Sequence, residues 1–179
     1  MGARWKTQKL DAEALWEYAL RVLGRRAHSA NELRSKLSRR AGQVPDVDAT
    51  MVKLKEYALV DDAKFSEVFA TSRLQNSGFG RLRVLRDLRA KRVASTVANE
   101  AVQKTFAGTD EPELIEQYLK RKYRNMDLAQ HLKEQKNLAN VYRRLVTAGF
   151  NGRTCLTVLK RYSSAAEEIE EVPGENEFS

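Results

Sequence analysis

The sequence predicts an all-α protein, built as three tandem three-helix repeats that form an elongated, curved array. Three observations predict it. Apolar residues recur at helical spacing along most of the chain, and no stretch alternates as a half-buried strand would. With nine Gly and three Pro in 179 residues, the composition suits helices better than a turn-rich sandwich. A second-helix pattern also returns three times, as Leu33 and Leu37, Val84 and Leu88, Val141 and Leu145, each pair at i, i+4 spacing. A three-helix unit of about 50 residues is near the lower size at which a core sustains itself, so neighbouring repeats are expected to lean on one another.

The expected order is an N-terminal extension (1–10), repeats at 11–59, 60–108 and 109–166, and an acidic tail (167–179) expected to be disordered. In the first repeat, Leu15, Trp16, Ala19, Leu20 and Leu23 fall on one side of a helix. "SANE" then reads as a capping box, with Ser29 capping the second helix and Glu32 reaching back. After "AGQVPDVD", the residues Val47, Met51, Leu54 and Ala58 mark a third helix.

In the second repeat, Phe65, Val68, Phe69 and Ser72 define a helix ending at "NSGFG". The next helix carries Val84, Leu85 and Leu88 on one face, with Arg83, Arg86 and Arg89 broadly opposite, and Ser95 is the expected cap of the helix after it. Beyond "AGTDEP" a third round runs through Leu114, Tyr118 and Leu119, then Leu138, Val141, Tyr142 and Leu145, then Cys155, Val158, Leu159 and Tyr162. Val93 matches Phe150 and Ala101 matches Val158 at an offset of 57 residues.

The formal net charge is +8, and "EEIEEVPGENEFS" at the C-terminus holds six Glu and no base, which leaves +14 on residues 1–166. A body this positive should attract a polyanion, whether DNA, RNA or an acidic protein surface. The densest run is "GFGRLRVLRDLRAKRV". From it and the first repeat come the candidate partner- or DNA-binding residues Arg25, Arg26, Lys36, Arg39, Arg40, Arg81, Arg83, Arg86, Arg89, Lys91 and Arg92. A solvated helix face is the competing reading of each.

Catalytic and cofactor chemistry find little to work with. His28 and His131 have neither an i+4 His nor a Cys partner at metal spacing, and both read as turn or surface residues. The lone Cys155 can form no internal disulfide and reads as a small core residue. Asp61 and Asp62 stand where acids cap a helix. "GFG" is no dinucleotide fingerprint, and no G-K-[ST] occurs. Phe79 and Trp5 read as staples or inter-repeat contacts, with no evident platform for stacking bases. No enzyme, metal or cofactor is expected. No apolar run approaches the roughly 20 residues that span a bilayer and the N-terminus lacks a signal-peptide core, so a cytoplasmic location is expected; a monomer is the expected state.

The stretch "LKEYALVDDAKFSEVFATSRLQNSGFGRLRVLRDLRAKRVASTVANEAV" resembles the central part of the RecX family of bacterial RecA regulators. The residues that carry the resemblance are Leu54, Leu59, Asp61, Asp62, Phe65, Gly80, Val84, Leu88, Lys91, Val93, Val97 and Ala101. It extends over about residues 12–163, more weakly in the third repeat. Ala58 and Arg92 stand where the family has Gly, so the helix before Ala58 must leave by some route other than a left-handed Gly.

The resemblance implies an all-α modular protein that lodges in the groove of the RecA filament on single-stranded DNA. There it would limit filament growth and suppress strand exchange and ATP hydrolysis without catalysis, in DNA recombination, repair and the SOS response. A direct, sequence-tolerant DNA- or RNA-binding repeat acting without RecA is the alternative. The third helices "TMVKLKEYA" and "STVANEAVQK" lack the Arg, Asn and Gln cluster of a base-reading face.

Overall fold

Ten α-helices account for most of the computed structural model, which describes residues 9–163. The expected roles of Trp5 and of the acidic tail lie outside the described residues. The first three helices are α1 (Ala12–Arg25), α2 (Ala30–Arg40) and α3 (Val44–Glu56). Asp11 caps α1 by accepting from the Ala14 amide, and Pro45 occupies the first turn of α3, where its missing N–H costs nothing. The three helices pack on one another around Leu15, Leu33, Leu37 and Leu54, all fully buried, with Val47 and Met51 nearly so. Each such side chain contributes about 1.5–3 kcal/mol over an exposed one. Leu20, expected in this core, is 41% exposed; Leu15 and Ala19 supply the buried stripe.

The second set is α4 (Asp62–Ser72), α5 (Arg81–Ala90) and α6 (Ser95–Thr105). Along α4 the expected stripe is displaced: Val68 is 64% exposed, and Ser66 and Ala70 are fully buried in its place. Ser66 tolerates burial because its hydroxyl donates to the Asp62 carbonyl at 2.6 Å, one turn back. A π-helical turn, Arg73–Ser77, leads α4 into Gly78, whose φ of +60° ends it. Val84 and Leu88 are fully buried in α5, as the i, i+4 pattern requires. Ser95 is the first residue of α6 rather than its cap, since the first helical bond runs from Ala98 N to Ala94 O.

The third set has one helix more than expected: α7 (Glu111–Lys122), a single turn α8 (Leu128–His131), α9 (Gln135–Thr147) and α10 (Gly152–Leu159). Asp110, Asp127 and Asn151 cap α7, α8 and α10 with their side chains. Packing of α10 on α7 and α9 buries Ile115, Leu119, Leu138, Tyr142, Leu145, Cys155, Val158 and Leu159. The Asn151 amide donates to the Glu111 carboxylate at 3.1 Å, which holds the start of α10 against the start of α7.

The chain divides into two compact units, one made of Met1–Val68 with Leu88–Ala101 and the other of Phe69–Asp87 with Val102–Ser179. Within the first, the N-terminus of α2 is tied to the end of α5. Ser29 Oγ donates to the Lys91 carbonyl, Asn31 Nδ2 donates to the Arg92 carbonyl at 2.9 Å, and Asp62 accepts from the Ala30 amide at 2.7 Å. Within the second, the start of α5 is tied to the end of α9. Gly80 N donates to Ala148 O at 2.9 Å, and Leu82 N donates to Gly149 O at 3.1 Å. A Cβ on Gly80 would run into the Gly149 carbonyl and come 2.7 Å from Phe150 N.

The route out of α3 differs from expectation, and α5 leaves in the same way. Ala58 (φ +51°) and Arg92 (φ +61°) both adopt the left-handed conformation that glycine favours, although each carries a Cβ. The turn geometry wins over the residue preference, because Leu59 N bonds to Leu54 O and Val93 N bonds to Leu88 O only if the chain reverses there.

Candidate functional site

The sequence-selected cations fall into both units. In the first unit, Arg25 and Arg39 are exposed at the ends of α1 and α2, and Lys36 is half-buried on α2. Arg40 lies with its guanidinium carbon 5.4 Å from the Tyr18 ring centre. Arg92, exposed, donates to Ser35 Oγ, and Arg89 is half-buried in the last turn of α5.

Arg26 and Lys91 meet at one acid, Glu32. Arg26 Nη2 donates to its carboxylate at 2.7 Å, and Lys91 Nζ approaches the same oxygen at 3.5 Å. Glu32 therefore does not complete a capping box; Ser29 Oγ accepts from the Glu32 amide, while the carboxylate turns to the two cations. The Arg26 hydrogen bond is the main reason the Glu32 carboxyl is held down at about 2.

His28 lies in a turn, as one of its expected placements has it, but it is buried there, 5% exposed, with Nδ1 lying 3.1 Å from Glu32. Burial outweighs that neighbour and lowers the imidazole pKa below its ordinary value of 6.5. The short turn between α1 and α2 folds it inward, a placement that sequence neighbours do not encode. Arg26 and Lys91 are thus partly neutralised.

In the second unit Arg81, exposed, has its guanidinium 5.9 Å from the Phe106 ring centre. Arg86 is exposed and donates to the Thr147 carbonyl at 2.9 Å. Arg83 is joined by Arg73, which the sequence reading did not select. Arg83 Nε donates to Asp87 at 3.0 Å, and Arg73 Nε reaches the other oxygen of that carboxylate at 3.5 Å. Between them stands Phe79, whose ring centre is 5.3 Å from the Arg83 guanidinium and 6.0 Å from that of Arg73.

An open groove of about 400 Å³ begins beside this ring. Phe79, Arg83, Tyr118, Arg143, Arg144 and Thr147 line it. Arg143 is steadied by Asn140 Oδ1 at 2.7 Å, and Arg144 lies 3.4 Å from the Tyr123 hydroxyl. Neither has a carboxylate partner among the described residues. Arg121 adds a fifth guanidinium, 6.0 Å from the Tyr118 ring centre and donating to the Ser77 carbonyl. Tyr118 itself packs edge-on against Phe150, and burial raises its phenol pKa. Five guanidiniums thus stand near two aromatic rings, with Asp87 pairing Arg73 and Arg83 only, and the low side-chain entropy of the anchored arginines suits anion capture. Phe79 and Tyr118, both half-buried, thus have cations beside them, a juxtaposition that sequence spacing does not announce.

Asp61 caps α4 by accepting from Lys64 N at 3.0 Å, while Asp62 serves the α2 N-terminus, so the pair is divided between two helix starts. Cys155 is fully buried and its thiol is pushed up to about 12 by burial, consistent with a core residue. His131 is half-buried beside Tyr123 and Asn137. No helix among the described residues is long and apolar enough to cross a membrane.

A family model described as the second three-helix domain of RecX matches residues 61–102. The regulatory protein RecX of Halorhodospira halophila is 38% identical over 92 residues, covering 51% of this chain and 56% of that protein. That of Mycobacterium sp. (strain JLS) is 30% identical over 145 residues, covering 79% and 78%. The chain spans 56%, 60% and 58% of the lengths of three such relatives, and so little more than half of each. The crystal structure of RecX from Lactobacillus salivarius superposes with a TM-score of 0.63 at 15% identity, covering 84% of this chain and 96% of that one, which shows the shared fold.

Proposed function

The chain belongs to the RecX family, and on that premise we propose that it regulates RecA by binding the RecA–DNA filament and slowing its growth, strand exchange and ATP hydrolysis without catalysing a reaction. The observation that carries this reading is the cluster Arg73, Arg83, Arg121, Arg143 and Arg144, whose ion pairs among the described residues go to Asp87 alone. Such a surface attracts a polyanion, and a RecA filament carries one in the DNA it holds. The candidate cations of the first unit, Arg25, Arg39 and Lys36 above all, would add contacts to filament or DNA. Occupancy alone is enough for inhibition, so the protein would act as a cytoplasmic monomer with no cofactor.

The test titrates the protein into RecA assembled on single-stranded DNA with ATP, following filament extension and hydrolysis. Extension and hydrolysis should both fall as the protein approaches the RecA concentration. Unchanged rates at stoichiometric protein would sink the reading. Tight DNA binding without any effect on RecA would favour a direct nucleic-acid-binding repeat protein.

A further inference from the structure

We propose that the groove between Phe79, Tyr118, Arg83, Arg143 and Arg144 is a nucleotide subsite for single-stranded nucleic acid, with a base against the rings and phosphates on the α9 arginines. The proposal rests on the DNA partner inferred above and deepens it to named residues. Three features lead to this occupant. The groove, at about 400 Å³, lies within the roughly 300–1,000 Å³ typical of sites for small molecules. Arg143 and Arg144 are adjacent in α9 and both line the groove, each with a neutral partner, so their charge is available to an anion.

The rings make the third point. A carboxylate ligand needs guanidiniums and no rings, whereas a nucleotide uses both, because every base has a face that stacks on an aromatic or guanidinium plane. Phe79 and Tyr118 are half-buried and open to the groove, and each has a guanidinium 5.3 to 6.0 Å from its centre. Arg83 is fixed by Asp87, so it presents a preset plane rather than a wandering chain. Among the described residues no Asn, Gln, Asp or Glu lines the groove to read adenine or cytosine edges, which fits a site that grips phosphate and ring faces more than sequence.

The experiment measures fluorescence anisotropy of the full chain with a labelled oligothymidylate, with an abasic strand of equal phosphate number, and with polyglutamate as competitor. Arg143→Ala/Arg144→Ala should weaken oligothymidylate binding about tenfold or more. Two lost phosphate contacts should also flatten the slope of log affinity against log salt by about 1.4. The abasic strand should bind wild type at least about fivefold more weakly, and Tyr118→Leu should erase most of that gap. Retained thermal melting of the variants excludes unfolding as the cause.

Unchanged binding by the double variant overturns the proposal. Equal binding of abasic and intact strands, or equal competition by polyglutamate, also overturns it, since either outcome means an anion surface with no base site. The RecA titration with wild-type protein reads the family function separately, so the failure of one does not disguise itself as failure of the other.

Discussion

The two junctions that join successive second helices perform the same docking with different chemistry. When α2 is aligned on α5 through Leu33/Val84 and Leu37/Leu88, Ser29 matches Gly80 and Asn31 matches Leu82; at the other offset, Lys91 matches Ala148 and Arg92 matches Gly149. The bonds are equivalent pair by pair. In the first unit the donors are side chains, Ser29 Oγ and Asn31 Nδ2; in the second they are the backbone amides of Gly80 and Leu82. A side-chain donor keeps two backbones about one side chain further apart, and a backbone donor brings them into contact. The residue at the first position follows: a capping Ser where there is room, a Gly where there is none. A repeat can thus keep its architecture while changing the distance at which its parts meet.

The sharpest way to break the comparison is to exchange these residues. Gly80→Ala forces a Cβ into the Gly149 carbonyl and should cost roughly 3 kcal/mol or more. Ser29→Ala at the matching position removes a cap and one hydrogen bond, for about 1–2 kcal/mol. Urea unfolding of the two variants checks the order, and equal losses would mean that the second junction is no closer than the first.

Glu32 gives the first junction a pH signature, because two cations hold its carboxylate and its pKa is lowered. Its folded pKa of about 2 lies below the ordinary 4.5, so the stabilisation is complete above that ordinary value and is lost as pH falls from 4.5 towards 2. Glu32→Gln should cost on the order of 2 kcal/mol at neutral pH, after allowance for the exposed Arg26 head, and its stability should converge on wild type across that acid window. His28 acts in the same direction at higher pH. With its pKa lowered by burial, the unfolded chain takes up the proton first, so stability already declines as pH drops below 6.5. A difference between wild type and Glu32→Gln that stays constant down to pH 2 would contradict the assignment.

The smallest effect is a gain. Ala58→Gly relieves a left-handed alanine at an exposed position and should raise stability by about 0.5–1 kcal/mol, read as a higher urea midpoint. Arg92→Gly should gain less, because it also surrenders the bond to Ser35.

The core was legible in the sequence wherever two apolar residues stood at i, i+4. Leu33, Leu37, Val84, Leu88 and Leu145 are fully buried and Val141 nearly so, as their spacing requires. Periodicity failed where small residues carry the buried face, as Ser66 and Ala70 do in α4, since nothing in their hydropathy announces it. It also passed over α8, a helix of four residues that is too short to show a period. Half of the groove was hidden for a different reason. Arg83 was selected from a dense local run of charge, but Arg143 and Arg144 sit in an ordinary amphipathic helix 60 residues away, and only the fold brings them to Phe79. The left-handed conformation of Ala58 was missed because residue preference was weighed without the helix-closing bond that opposes it.

Cys155 has a use beyond filling space between α7, α9 and α10. It is the sole sulfhydryl in the chain, fully buried and protonated at any physiological pH. An alkylating reagent can therefore reach it only through an opening of the third helical set, and each labelled molecule records one such event at a known address. The protein carries its own clock for the excursions of that set, readable by mass without adding a probe.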